Sequence, residues 1–308
     1  KSLVLLETSG RFKARLEGPV SGNILLRQAQ HQNARDAGFA LEFARAVIAG
    51  KLKNSRGLLV RAARETSDPG EQALLTRTAD NLAASLRAAA VATDLDALRG
   101  VEGEAARGYF AAMNLVVKPQ VRGDFVLNGR TRRPPLDRFN ALLSFLYSML
   151  MNDCRSALEA VGLDPQLGFL HAVRPGRAAL ALDLQEEFRS VMADRLALTL
   201  VNRGQLGPGD FDEREGGAIL LNDNGRRTVV TAWQERKQEE VTEHKALDTT
   251  VDAKLAYVHD SMVRHLDAFV QKETTNTVAK ANIELPDGTV LAENVPAAAL
   301  LGLESRLK

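Results

Sequence analysis

One segment of the chain places an imidazole and three carboxylates in a pattern that could bind a divalent cation. Residues 168–189 read GFLHAVRPGRAALALDLQEEFR, in which His171 precedes a helical pattern that carries Asp183, Glu186 and Glu187. Acidic side chains three and four residues apart lie on the same face of a helix. From this segment alone, the acids could also form a solvated face near a helix N-terminus, where the helix dipole favours carboxylates. His171 could likewise be a packing or loop histidine.

A second acidic segment could complete such a site. Residues 99–110 read RGVEGEAARGYF and place Glu102 and Glu104 beside two glycines, which allow a phosphate or a metal to approach the backbone closely. The alternative is an ordinary acid near the start of a helix. One imidazole and two carboxylates from separate elements would suit Mg²⁺ or Mn²⁺, with water and phosphate oxygens completing the shell. Zinc is less favoured because no thiolate ligand is evident.

Two groups of basic residues are candidate phosphate contacts, although each could be an ordinary solvated face. A helical group spans about 140° of arc and consists of Lys53, Arg56, Arg61 and Arg64. A loop group within residues 118–138 could follow a nucleic-acid backbone and consists of Arg122, Arg130, Arg132 and Arg133. Arg174 and Arg177, close to His171 in the sequence, could hold a phosphate.

The elements that position these residues are predicted to be mainly helical. From about residue 27 the apolar residues recur with a period near four, which indicates helices as far as Gly204. We expect a break or bend at Gly50, a short hairpin at Asn128-Gly129, and a helix capped by Asp137. The segment RRTVVTAWQERKQEEV is predicted to be a short strand or the start of a helix.

The predicted fold class is a helical catalytic domain preceded by a small β domain that is truncated here. The predicted boundaries are residues 1–24 for the C-terminal remnant of the β domain, 25–245 for the helical catalytic domain, and 246–308 for a tail of uncertain role. The single cysteine, Cys154, is expected to pack in a helix, which excludes a disulfide framework and fits a reducing compartment. No apolar run approaches the ~18 residues of a membrane span, so we expect a cytoplasmic protein without a membrane partner.

Three motifs, in this order, resemble the CRISPR-associated spacer integrase or "Cas-one" family. They are EG-x-AAR-x-YF from Glu102, PPLD-x-x-NALLSF-x-Y from Pro134, and GFLH-x-x-x-PGR-x-x-LALDL-x-EEFR from Gly168. The segments NGRTRRPPLD and AWQERKQEE are most similar to the type I-C branch. The resemblance covers roughly residues 1–241. The family's N-terminal β-sandwich has more strands than the first 22 residues supply, and the tail after Glu240 does not match.

The resemblance implies a metal site and a reaction. It assigns Mg²⁺ or Mn²⁺ to Glu102, His171 and Glu186, with Asp183 as an accessory acid or a partner of a ligand. It implies a metal-dependent DNA endonuclease and integrase, in which the 3′-hydroxyl of protospacer DNA attacks the phosphodiester at the edge of a repeat. Tyr109 and Tyr147 fall in the motifs and are expected to pack with a hydroxyl partner.

The resemblance also implies partners. These are double-stranded DNA (the protospacer and the repeat array), a second copy in a homodimer, and a small "Cas-two" protein that completes a heterohexamer. A "Cas-four" nuclease is a further expected partner. Two alternatives stay open at this point: a metal-dependent nuclease that acts on branched DNA outside CRISPR immunity, and a helical scaffold that binds DNA without catalysis.

Overall fold

The computed structural model describes residues 3–6, 12–16, 24–238, 280–284 and 290–296. They fall into two compact units, within residues 1–256 and 257–308. In the first unit, β1 (Leu3–Leu6) pairs with β2 (Phe12–Leu16) in an antiparallel hairpin. In the second, β5 (Lys280–Glu284) pairs antiparallel with β6 (Val290–Pro296). The domain boundaries stay predictions, and within the predicted tail the structure describes only these two strands.

The part of the first unit between residues 24 and 238 is mostly helical, which confirms the predicted helical character of the chain. The elements in chain order are α1 (Ile24–Asn33), α2 (Ala37–Glu65), α3 (Pro69–Ala90), α4 (Leu95–Val116), α5 (Pro119–Arg122), α6 (Arg138–Ala160), α7 (Ala179–Phe188), a π-helical segment (Arg189–Asp194), α8 (Arg195–Asn202), β3 (Phe211–Glu213), β4 (Ile219–Leu221) and α9 (Asp223–Gln238). Strands β3 and β4 form an antiparallel hairpin. None of the helices in these described residues is both long and apolar enough to cross a membrane.

Aspartates at the helix starts explain why several of these helices begin where they do. Asp36 and Asp94 each accept two backbone N–H groups of the first turn of α2 and α4, and Asp68 accepts one at the start of α3. The predicted cap of α6 is confirmed, because Oδ1 of Asp137 accepts the N–H of Asn140 at 2.7 Å. Each cap satisfies donors that have no partner within the helix, which stabilises the helix by about 1 kcal/mol.

The long helix α2 organises the core, since it packs against α3, α4, α7 and the π-helical segment. Its inner face includes Ile48 and Leu59, which are fully buried. The predicted break at Gly50 is wrong, because α2 continues through this residue. A Cβ at Gly50 would lie 2.8 Å from Cγ of Glu187 on α7. Glycine therefore lets a side chain of α7 pack directly on the α2 backbone.

One other local prediction requires correction, and one open alternative is resolved. The hairpin expected at Asn128-Gly129 is wrong, because no strands form beside these residues. Gly129 adopts φ +74°, and the chain just before it is held by the Asn114 side chain, which pairs with the backbone N–H and C=O of Leu127 at 2.8 and 3.0 Å. A side chain thus provides the hydrogen bonds that a hairpin partner would have provided. The segment RRTVVTAWQERKQEEV was predicted to be a short strand or the start of a helix, and as far as Gln238 it lies in the helix α9. Trp233 of α9 is buried and donates to Asp153 at 2.9 Å.

Candidate active site

Three charged side chains, one each from α2, α4 and α7, lie in contact at one point. Glu102 lies on α4, Glu186 on α7, and the ammonium of Lys51 on α2 lies between their carboxylates. Nζ of Lys51 is 2.7 Å from Oε2 of Glu186 and is also within hydrogen-bonding distance of Oε1 of Glu102. The side chains of Glu186 and Lys51 are only 6% and 11% exposed. The carboxylates of Glu102 and Glu186 therefore share one cation in a largely buried space.

His171 faces the same point from the loop that precedes α7. Its Nε2 lies 3.8 Å from Oε1 of Glu186, and its Nδ1 lies 2.7 Å from Oδ1 of the fully buried Asp183. A carboxylate beside Nδ1 favours the tautomer in which Nδ1 carries the proton, so that the lone pair of Nε2 points toward Glu186. This is the arrangement in which histidines usually bind metals.

Asp183 also fixes the backbone of the His171 loop. Its Oδ2 accepts the N–H groups of Phe169 and Leu170 at 2.7 and 3.0 Å, and its Oδ1 accepts the N–H of His171 at 2.9 Å. Gly168 makes this close approach possible, because a Cβ there would lie 2.7 Å from the backbone carbon of Ala179. The loop is thus held against the first turn of α7, and the imidazole has one defined position.

Two further side chains anchor the same loop from other helices. Arg99 on α4 donates from Nε and Nη2 to the carbonyl of Leu170 at 3.2 and 2.5 Å. The fully buried Gln30 on α1 donates to the carbonyls of Asp164 and Leu167 and accepts the N–H of Asp164. The position of His171 consequently depends on α1, α4 and α7 together.

The electrostatics of the site keep Glu186 ionised. Burial raises the pKa of Glu186, but the positive charges of Arg189 and Lys51 outweigh it and lower the pKa from 4.5 to about 2. Nη1 of Arg189 lies 2.7 Å from the Glu186 carboxylate. Burial lowers the pKa of Arg189, but the surrounding charges, of which that of Glu186 is the largest, outweigh burial and raise the pKa above its ordinary value. Glu186 is therefore available as an anionic oxygen donor.

The donor set at this point is chemically suited to a divalent cation. Two carboxylates and one imidazole nitrogen are ligands that Mg²⁺ and especially Mn²⁺ accept. As the side chains stand, no group of three or more His, Cys, Asp or Glu residues in the described part of the chain is arranged to hold an ion. The Lys51 ammonium lies between two of the three expected ligands, so the oxygens of Glu102 and Glu186 already face a cation.

The sequence of the chain matches the family described as CRISPR associated protein Cas1 over residues 1–235. The chain belongs to the Cas1 family. The CRISPR-associated endonuclease Cas1 1 of Moorella thermoacetica is 52% identical over 249 residues, which cover 81% of this chain and 72% of that protein. The CRISPR-associated endonuclease Cas1 2 of Rhodospirillum rubrum is 50% identical over 271 residues, or 86% of this chain and 77% of that protein.

Solved structures agree with this assignment. A CAS1 protein from Thermotoga maritima superimposes with a TM-score of 0.73 at 25% identity, over 86% of this chain and 78% of its own. Residues 220–308 match a different family, described as a family of unknown function (DUF7873). This second match covers the part of the chain that does not resemble the Cas1 family in the sequence analysis.

Two other matches link Cas1 proteins to further components. A Cas4 exonuclease/Cas1 endonuclease fusion from Rhodospirillum rubrum is 40% identical over 228 residues, which cover 73% of this chain and 38% of the fusion. A chain of a solved Cas6-RT-Cas1–Cas2 complex matches with a TM-score of 0.72 at 25% identity, over 88% of this chain and 28% of that chain. Cas1 proteins thus occur fused to Cas4 and in complexes with Cas2.

The helical group of basic residues lies on the outer face of α2. Lys53, Arg56, Arg61 and Arg64 are exposed, and Arg61 pairs with Glu65 at 2.8 Å. An exposed pair of this kind contributes little to stability in water. Arg174 is exposed and Arg177 half-buried in the loop that follows His171.

The predicted loop group of arginines does not form one exposed patch. Arg122 ends α5 and pairs with Glu71 at 2.6 Å, and this hydrogen bond lowers the pKa of Glu71. Arg130 turns inward, where Nη1 donates to Asn140 at 2.7 Å and the guanidinium lies 5.1 Å from the centre of the Tyr147 ring. Arg132 and Arg133 remain exposed. Two of the four arginines therefore stabilise the fold, and two can reach a ligand.

A buried polar network adjoins the site and confirms the expectation that Tyr109 and Tyr147 pack with a hydroxyl partner, although the sequence did not predict that this partner is Asp194. Asp194 accepts the hydroxyls of Tyr109 and Tyr147 at 2.8 and 2.7 Å. Burial and the nearby charge of Asp194 raise the pKa of both tyrosines well above the ordinary value. Arg189 lies 5.0 Å from the centre of the Tyr147 ring, so the network connects Asp194 with the arginine that binds Glu186.

Proposed function

We propose that this protein is a CRISPR adaptation integrase with endonuclease activity. It inserts new spacers by a phosphodiester transesterification, in which the 3′-hydroxyl of protospacer DNA attacks the phosphodiester at the edge of a repeat. The hydroxyl oxygen forms the new phosphate ester, and the former 3′-oxygen of the array strand leaves with a proton. Water in place of the hydroxyl gives nuclease activity at the same site.

One observation carries the proposal: in a chain of the Cas1 family, Glu102 and Glu186 from separate helices share the ammonium of Lys51, and Nε2 of His171 lies 3.8 Å from Glu186. Glu102, His171 and Glu186 would hold Mg²⁺ or Mn²⁺, and Asp183 would orient the imidazole. A divalent cation bound there would activate the attacking hydroxyl and stabilise charge on the leaving oxygen.

The remaining roles follow from what the side chains reach. Asp183 holds the Nδ1 proton of His171, and Arg189 keeps the Glu186 carboxylate charged and oriented. Arg174 and Arg177 follow the histidine on the same loop and would bind the scissile phosphate. The other proposed DNA contacts are the exposed Lys53, Arg56, Arg61, Arg64, Arg132 and Arg133.

The proposal includes the assembly and the branch of the family. We propose a homodimer, contacts with a Cas2 protein in a heterohexamer, and cooperation with a Cas4 nuclease. The β1–β2 hairpin is proposed to belong to the β domain that the resemblance implies. The type I-C assignment rests on NGRTRRPPLD and AWQERKQEE. We also propose a cytoplasmic location, which the proposed reaction on the array would require.

The decisive experiment is a joining assay with a labelled duplex that has free 3′-hydroxyls, a repeat-containing plasmid, Mn²⁺ or Mg²⁺, and the small Cas2 partner. We expect joined product from the unsubstituted protein and none from His171→Ala or in the presence of chelator. His31→Ala is the matched control, because His31 is exposed on α1. Product that survives His171→Ala would remove the proposed metal role of this histidine. DNA binding without any joined product would favour the scaffold alternative.

The DNA contacts can be tested separately. Replacing Arg132 and Arg133 by alanine should weaken duplex binding and reduce the dependence of the binding constant on salt concentration, since each lost phosphate contact lowers the slope by about 1. Arg227→Ala provides the control, because this arginine is exposed on α9. An unchanged salt slope in the Arg132/Arg133 variant would contradict the assignment.

A further inference from the structure

Lys51 is the most unusual member of the site, because a lysine lies where the expected ligands should meet a metal ion. Its side chain is 11% exposed, and its ammonium binds Glu102 on one side and Glu186 on the other. Lys53, two residues further along α2, is exposed and belongs to the outer face. The two lysines thus have different environments on one helix, and only Lys51 serves the acidic pair.

The charges around Glu186 explain what Lys51 does when no divalent ion is bound. Two carboxylates brought together in a buried space repel each other strongly, because their charges are poorly screened there. Lys51 and Arg189 together supply two positive charges for Glu102 and Glu186. The carboxylate pair is therefore neutralised, and its oxygens keep positions that they could also occupy around a metal ion.

The positive charge of Lys51 opposes a divalent ion at the same two carboxylates. The ammonium contacts Oε1 of Glu102 and Oε2 of Glu186, and an ion bound by these carboxylates would lie next to its charge. Arg189 contacts both oxygens of Glu186 but makes no contact with Glu102, so it does not lie between the two carboxylates. Of these two cations, Lys51 is thus the one that lies between the two expected carboxylate ligands.

We propose that Lys51 is an internal counter-cation that holds the Glu102–Glu186 pair in the metal-free protein and is displaced when a divalent ion binds. This inference rests on the proposed function, because it uses the same ligand set. Metal binding then becomes an exchange of one cation for another. The exchange lowers the apparent metal affinity and protects the metal-free site from the repulsion of its own acids.

The first test compares Lys51→Met with Lys53→Met in the whole 308-residue chain. Methionine removes the charge and keeps a side chain of similar length. We expect Lys51→Met to bind Mn²⁺ more tightly, by about tenfold, within the range typical of coupled binding equilibria, and to unfold at a lower temperature in EDTA. Saturating Mn²⁺ should restore much of that loss, because a ligand that binds only the folded state stabilises it. Lys53→Met should leave both quantities unchanged.

The second test uses the unsubstituted protein and does not depend on the folding of a variant. Lysines are acetylated briefly with acetic anhydride, in EDTA and in saturating Mn²⁺, and the labelled residues are quantified by mass spectrometry. We expect the labelling of Lys51 to rise severalfold when Mn²⁺ binds, because the displaced ammonium loses both carboxylate partners. The exposed Lys53 and Lys118 serve as internal controls and should label equally under both conditions.

The outcomes separate this inference from the proposed function. The exchange would be overturned if Lys51→Met bound Mn²⁺ with equal or weaker affinity than the unsubstituted protein. It would also be overturned if the labelling of Lys51 were the same with and without Mn²⁺. Either result would leave the ligand set intact. Mn²⁺ binding that is the same in His171→Ala as in the unsubstituted protein would overturn the ligand set itself. A protein that binds no Mn²⁺ would overturn both.

Discussion

Replacing Asp183 by asparagine tests how the fold positions the imidazole of His171. Asp183 is fully buried and its two oxygens accept four hydrogen bonds, from the backbone N–H groups of Phe169, Leu170 and His171 and from Nδ1 of His171. Asparagine has nearly the same shape but only one acceptor oxygen. Whichever way its amide is oriented, two of the four donors face an NH₂ group instead of an oxygen.

The expected cost follows from that count. A hydrogen bond to a charged group contributes about 1.5–3 kcal/mol, so the loss of two lowers the free energy of unfolding by about 3 kcal/mol or more. That is a large part of the stability of an ordinary domain, about 5–15 kcal/mol. Loss of the carboxylate that orients a metal-binding histidine typically lowers metal affinity by about 10- to 100-fold. Asp183→Asn should therefore weaken both the fold and Mn²⁺ binding.

The assay is urea unfolding in EDTA, followed by Mn²⁺ titration of the folded protein at the same pH. Asp80→Asn makes the same chemical change on the exposed face of α3 and should stay within about 0.5 kcal/mol of the unsubstituted protein. If Asp183→Asn unfolds like Asp80→Asn and binds Mn²⁺ normally, the carboxylate does not hold the loop or the imidazole, and the reasoning fails.

Three further substitutions test the supports of the site by urea unfolding. Gly168→Ala should destabilise the protein by about 1–3 kcal/mol, since its Cβ would lie 2.7 Å from a backbone atom. The control is Gly57→Ala on α2, where a Cβ meets nothing within 4 Å, and it should stabilise the protein by about 0.5–1 kcal/mol. Equal effects of the two substitutions would contradict the close packing at Gly168. Tyr147→Phe removes one of two hydroxyls from Asp194 and should cost about 1–3 kcal/mol; no change would mean that this bond is not made in solution. Gln30→Ala leaves one N–H and two carbonyls of the His171 loop without their partner and should cost at least about 2 kcal/mol; a smaller loss would mean that water replaces the side chain.

The sequence predicted the helical character of the chain well, because the apolar period and the capping aspartates are local signals. Asp137 illustrates this, since it stands directly before the helix that it caps. The break expected at Gly50 failed for a non-local reason, because the lack of a side chain serves packing against Glu187. A glycine in a helical pattern does not reveal which of the two reasons applies.

The candidate ligands could be named from the sequence only through the resemblance of the motifs. Helical spacing correctly placed Asp183 and Glu186 on one side of α7, but it could not assign them different partners. Asp183 binds His171, and Glu186 binds Lys51 and Arg189. Nothing in the local sequence indicates that Lys51 reaches an acid 135 residues away, since α2 and α7 meet only through packing.

The π-helical segment explains why Arg189 and Asp194 were also missed. Residues five apart on an α-helix differ by about 140° around the axis, so the ordinary period separates these two side chains. In a π-helix the backbone bonds join residues five apart, which brings both to the same side. The structure shows the consequence at Tyr147, whose ring lies 5.0 Å from the guanidinium of Arg189 and whose hydroxyl donates to Asp194 at 2.7 Å. One local change of helical pitch thus links the side chain that binds Glu186 to the buried tyrosine network.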